Sequence, residues 1–155
     1  MTLLGETRGP AALGERLHAA QTVTARLMSE IIGAVCRRDP SMGRNRKAAR
    51  IERLIEAEAW SDAALALIDL ELPQWQVRRI AYDEGEWHCA LSRQRELPDW
   101  LDQPIEARHG DLPLAILSAF VDARVATAPR SRTSVPTVPR DAEMPCMPFC
   151  CDNFA

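Results

Sequence analysis

Leu13, Leu17, Ala20, Thr24, Leu27, Ile31 and Ala34 recur at alternating four- and three-residue steps, which places them along one stripe of a helix. Val23, Met28 and Val35 widen that stripe. Gly9-Pro10 stands before it, where a proline costs no hydrogen bond, while Arg37 and Arg38 suit its carbonyl end and Asp39-Pro40 stops it. One long amphipathic helix over residues 11–36 is therefore expected. Three heptads are short for a free coiled coil, so packing on its own domain outweighs dimerisation.

After Ser41-Met42-Gly43 a second helical pattern carries Ile51, Leu54 and Ile55, breaks near Trp60 and restarts at Ser61-Asp62, a pair able to cap the segment Ala63 to Leu70 before Pro73 ends it. The period then changes. Trp75 and Val77, then Ile80 and Tyr82, alternate as in a strand, and the Arg78-Arg79 pair shifts the phase as a bulge does. Asp83-Glu84-Gly85 supplies a turn. On the return, Trp87, Cys89 and Leu91 point one way and His88, Ala90 and Ser92 the other, giving a β-hairpin of about six residues per arm. Residues 93–110 are polar and proline-interrupted, with a short third strand suggested near Ile105 to Arg108. A last helix starts from Asp111, with Pro113 in its first turn and Leu114, Leu117, Phe120, Val121 and Val125 on its buried side. Beyond Thr127, Pro129, Pro136, Pro139, Pro145 and Pro148 oppose regular structure. The expected fold is α+β: a long N-terminal amphipathic helix (1–42), a core (43–127) in which helices and a C-terminal helix pack a hairpin or small antiparallel sheet, and a disordered tail (128–155).

The block from Trp60 to Val125 carries Asp62-Ala63-Ala64-Leu65-Ala66-Leu67, Trp75, Trp87 and the Ala-rich helix at Pro113 to Ala123. On these features it resembles small uncharacterised proteins of proteobacteria and the phage ABA-sandwich domain, over less than half of the chain. The resemblance implies helices on a small antiparallel sheet and brings no catalytic residues with it.

Composition bounds the class. The 155 residues are 46% hydrophobic and 5% aromatic, sufficient for a single helix-rich core and too few for two large domains. Only Lys47 is a lysine against 18 arginines, a skew that fits a GC-rich bacterial genome better than a chemical demand. No apolar run reaches bilayer length and the amino terminus lacks a secretory pattern, so the expected home is the cytoplasm. The five cysteines, Cys36, Cys89, Cys146, Cys150 and Cys151, crowd toward one end and read as free thiols rather than a disulfide framework.

Candidate chemistries are weak. Cys146, Cys150 and Cys151 offer thiolates for a soft ion but have no fourth ligand nearby, so neither a metal nor another cofactor is expected. His18, His88 and His109 fall in separate elements, and His88 and Cys89, as strand neighbours, face opposite sides. The seven glycines are scattered, leaving no phosphate cradle. Asp83, Glu84 and Glu86 sit on a hairpin tip, and Asp99, Asp102, Glu106 and Asp111 form a second acidic group. Solvation at a tip does not raise a carboxyl pKa. An enzyme therefore ranks third.

The charge is polarised although it sums to −3: residues 1–54 hold ten basic and five acidic groups, residues 55–112 five and thirteen. Arg37, Arg38, Arg44, Arg46, Lys47, Arg50 and Arg53 concentrate at the helix junction without interleaved aromatics, which removes the base-stacking half of a single-strand binder. The plain explanation for them is that Arg37 and Arg38 favour a helix C-terminus while the rest pair with Glu52, Glu56 and Glu58 or stay in water. Of the tryptophans, Trp75 and Trp87 are expected in the core under the last helix, and Trp100 in an exposed loop as a partner contact. The leading expectation is a non-catalytic protein-binding module that touches another protein, or a second copy through helix 11–36. Contacts are sought at Trp100, Arg44, Arg46, Lys47 and Arg50. The alternative is a small nucleic-acid-associated factor using the basic segment 37–53.

Overall fold

The computed structural model describes residues 10–36, 42–93, 96–98 and 100–128. They form α1 (Pro10–Ala19), α2 (Ala25–Val35), α3 (Met42–Glu56), α4 (Trp60–Glu71), β1 (Gln76–Asp83), β2 (Glu86–Ser92), β3 (Ile105–His109) and α5 (Leu112–Thr127). The class is α+β, with three antiparallel strands in the order β1-β2-β3.

The expected continuous helix over 11–36 is instead two helices. The chain leaves helical geometry after Ala19, and Thr24 takes an extended conformation and accepts a hydrogen bond from the Leu27 amide, capping α2. Thr22, Val23 and Thr24 are β-branched, which weakens a helix where capping offers an alternative. The break resets the phase. Val23, Met28 and Val35 are buried as their place on the widened stripe predicts, while Thr24 and Ala34 of that stripe face solvent. Arg16 and Glu30 bridge the two helices at 2.6 Å, and the guanidinium holds the Glu30 carboxyl below its ordinary range.

The α3–α4 corner differs as well. Ser61 and Asp62 already lie within α4, whose N-cap is Ala59 with no side-chain cap bond. The turn is organised from the other side. The Ala59 amide bonds the Leu54 carbonyl and the Glu58 amide that of Ile55, with Glu58 in the left-handed region at φ 55°, a Schellman arrangement carrying glutamate where glycine is usual. Met42 and Gly43, which the sequence pattern places ahead of the second helix, belong to the first turn of α3.

The hairpin forms as its pattern demands, with arms of eight and seven residues. Asp83 pairs with Glu86 around Glu84-Gly85, both at positive φ (51° and 92°), the type I′ geometry that matches strand twist. The register slips between Val77 and Arg79, so Arg78 is bulged. The short third strand is present as β3 and pairs with β2. Trp87, Cys89, Leu91, Ile105 and Ala107 turn toward the helices, and His88, Glu106 and Arg108 toward the other face.

α5 packs on β2 and β3 and on its far side meets α1 and α4. Enclosed between layers, it is apolar nearly all round: Leu114, Ala115, Ile116, Leu117, Ala119, Phe120, Val121 and Ala123 are all buried. Val125, expected on the buried side, is 50% exposed because it lies in the last turn, beyond the enclosed stretch. Asp111 is the N-cap, but its side chain makes no cap bond; its amide instead donates to His109 Nδ1 at 3.0 Å. At the other end, Trp75 Nε1 donates to Thr127 Oγ1 at 3.0 Å, and the Arg93 guanidinium lies 4.7 Å from the Trp75 ring centre.

Candidate functional site

Among the described residues, three places concentrate charge or exposed apolar surface. The first is a buried junction. Glu71 closes α4 inside an apolar run, Leu70-Glu71-Leu72, and its side chain is almost wholly covered. A carboxylate there requires positive partners. Arg44 of α3 bonds it directly, and Arg124 of α5 lies at 4.0 Å while donating to the Val35 carbonyl at 2.7 Å. Four helices are thus tied through one acid. Cys36 sits beside both guanidiniums, yet burial outweighs them and pushes its thiol up to about 11. Cys89, under the sheet, is raised to about 11 by burial alone. Both are protonated at neutral pH and therefore poor nucleophiles.

The second place is α3. Arg44 is turned into the junction, whereas Arg46, Lys47, Arg50 and Arg53 are exposed. Among the described residues none of these four makes an ion pair, so of the two expected outcomes the pairing with Glu52, Glu56 and Glu58 does not form and the charges stay in water. Arg37 and Arg38 lie outside the described residues.

The third is the outer face of the sheet. Arg78, displaced by the bulge, pairs with the nearly buried Asp102 and donates to the Leu97 carbonyl. These contacts pin the connection before β3, which carries Trp100 (80% exposed) and Leu101 (51%). Next to it a concavity of ≈ 310 Å³ opens between Arg78, Arg79, Ala90, Pro104 and Glu106. His88 is half-buried on this face and Cys89 lies on the opposite one, so the two do not meet.

The residues singled out in the sequence are therefore not brought to one place: Trp100 lies by the sheet, Arg46, Lys47 and Arg50 on α3, and Arg44 in the helical junction. Leu13 and Leu17 of α1, Leu27, Met28, Ile31 and Val35 of α2, and Val23 between the two helices are buried in the chain's own core. No group of three or more metal-ligating side chains converges among the described residues, and Cys146, Cys150 and Cys151 lie outside them. No helix among the described residues is long and apolar enough to cross a membrane. Glu71 was not singled out by the sequence reading, although a lone acid in an apolar helix end is the signal that finds it. Comparison of the chain with family models, with curated proteins and with solved structures finds no match.

Proposed function

We propose that the protein is a non-catalytic binding module for another protein, with the Trp100-Leu101 connection as its contact. The observation that carries this reading is the pinned display of two large apolar side chains. Asp102 and the Leu97 carbonyl fix the connection to Arg78 while Trp100 and Leu101 point to solvent. Exposing an indole has no folding benefit, and aromatic anchors dominate protein contacts. A photoreactive amino acid at position 100, compared with one at the exposed Asp69, tests it in the native cell. A discrete adduct from position 100 alone supports the reading; no adduct, or the same adducts from both, rejects it.

The basic stripe of α3 favours a second reading, a nucleic-acid-associated factor. Among the described residues Arg46, Lys47, Arg50 and Arg53 present cations that make no ion pair, suited to phosphates rather than to stacked bases. Salt-titrated gel shifts decide it. Binding that weakens steeply with salt and disappears when Arg46, Lys47 and Arg50 become alanine supports this reading, and salt-independent or absent binding rejects it.

A further inference from the structure

Among the described residues β1 hydrogen-bonds to β2 on one side and borders no strand on the other. Because Asp83 and Glu86 close the two-residue turn, Asp83, Ala81 and Arg79 direct their backbone N–H and C=O groups toward β2. Ile80 and Tyr82 direct theirs to the open edge. Open edges are ordinarily blunted by charge, proline or a bulge. Here the bulge at Arg78 guards only the first half; from Arg79 to Asp83 the edge is regular, and Ile80 (37%) and Tyr82 (60%) expose apolar surface beside it.

We infer that this edge pairs with the same edge of a second copy, antiparallel about a two-fold axis through Ala81. In that register Ile80 stands opposite Tyr82 of the second copy on the inner face, and Arg79 opposite its Asp83 on the outer face, each pair occurring twice. The edge-directed backbone groups of Ile80 and Tyr82 meet one another, as an antiparallel ladder requires. Moving the axis to Ile80 or to Tyr82 keeps the ladder but separates Arg79 from Asp83. A one-residue slip sets edge-directed groups against inward ones. Charge complementarity thus selects both the occupant and the register. Neither Arg79 nor Asp83 has an ion-pair partner among the described residues. The two three-stranded sheets would join into one six-stranded sheet. With five paired residues per chain the contact is small, which fits a dimer that forms at high micromolar concentration rather than an obligate one. This edge is separate from the Trp100 connection, so either proposal stands if the other fails.

Sedimentation velocity of the full chain at low ionic strength, over about 1 to 500 µM, tests the inference against the weak association expected of a small interface. The wild type is expected to move from monomer to dimer across that range. Arg79→Asp and Asp83→Arg are each expected to remain monomeric, because like charges then face each other. An equimolar mixture of the two is expected to dimerise again, since every facing pair becomes attractive. Ile80→Pro removes an edge-directed N–H that the hairpin itself does not use, and is expected to fold and stay monomeric. A wild type monomeric throughout, as when the edge serves a peptide of another protein, overturns the inference. So does a dimer that survives either charge reversal, or single variants that fail to restore one another on mixing.

Discussion

The helical junction and the sheet edge use the same kinds of side chain to opposite ends. At the junction Glu71, Arg44 and Arg124 lie inside the fold and satisfy one another and the Val35 carbonyl. At the edge, Arg79, Asp83, Glu84 and Glu86 are exposed and have no ion pair among the described residues. Taking a charge out of water is costly unless its partner accompanies it, so the junction ties each of its charges to the fold. The edge charges owe the fold little, and are free to select a partner. α3 carries both kinds within one turn, with Arg44 turned inward and Arg46 and Lys47 outward.

Glu71 is the position where loss of a charge is expected to cost the fold most. Glu71→Ala leaves two guanidiniums facing a buried, uncharged gap, and is expected to cost about 3 kcal/mol in urea unfolding. A loss within that of a surface substitution would place the junction among the dispensable ion pairs. Alkaline pH is expected to act next most strongly. Burial raises Cys89 to about 11 against an ordinary value of 9.0. The unfolded chain therefore gives up that proton first. The stabilisation is complete below pH 9 and is lost as pH rises through 11, by roughly 2 kcal/mol if the thiol alone titrates. Cys36 acts in the same direction. Unfolding curves at successive pH values, compared with those of Cys89→Ala, measure the difference; an unchanged slope in the variant would remove Cys89 as the cause.

A smaller effect of opposite sign sharpens the account of the α3–α4 corner. Glu58 holds φ 55° at the position where glycine is usual, so Glu58→Gly is expected to raise stability by about 0.5–1 kcal/mol. A decrease would mean that its side chain contributes more than its backbone strain removes. The smallest effects belong to the exposed charges. Arg46→Ala and Lys47→Ala are expected to change unfolding free energy by no more than about 0.5 kcal/mol. A larger loss would show that α3 uses them internally.

How much of this was legible in the sequence depended on the reach of each signal. The hairpin, its bulge at Arg78 and the short β3 follow from alternation and turn residues a few positions apart, and α5 from Pro113 and a dense apolar run. The break between α1 and α2 was hidden because Leu13, Leu17, Ala20, Thr24 and Leu27 keep helical spacing across it. Only the β-branched run Thr22-Val23-Thr24 and the capping capacity of Thr24 mark the interruption, and such residues on a helix are common enough to pass. The pairing of Arg44 with Glu71 spans 27 positions and two helices, which no local spacing encodes. Trp100 was legible as an exposed side chain from its polar surroundings, but the anchor that holds its connection, Arg78 with Asp102, depends on a bulge whose displaced side chain has no fixed direction in sequence.

The most direct test sets the two regions side by side: urea titrations of full-length Glu71→Ala and Arg79→Asp under identical conditions. A large fall in midpoint for Glu71→Ala and an unchanged midpoint for Arg79→Asp are predicted. Comparable losses in both, or a stable Glu71→Ala, would contradict the division of the molecule's charges into those that hold the fold and those that are left for a partner.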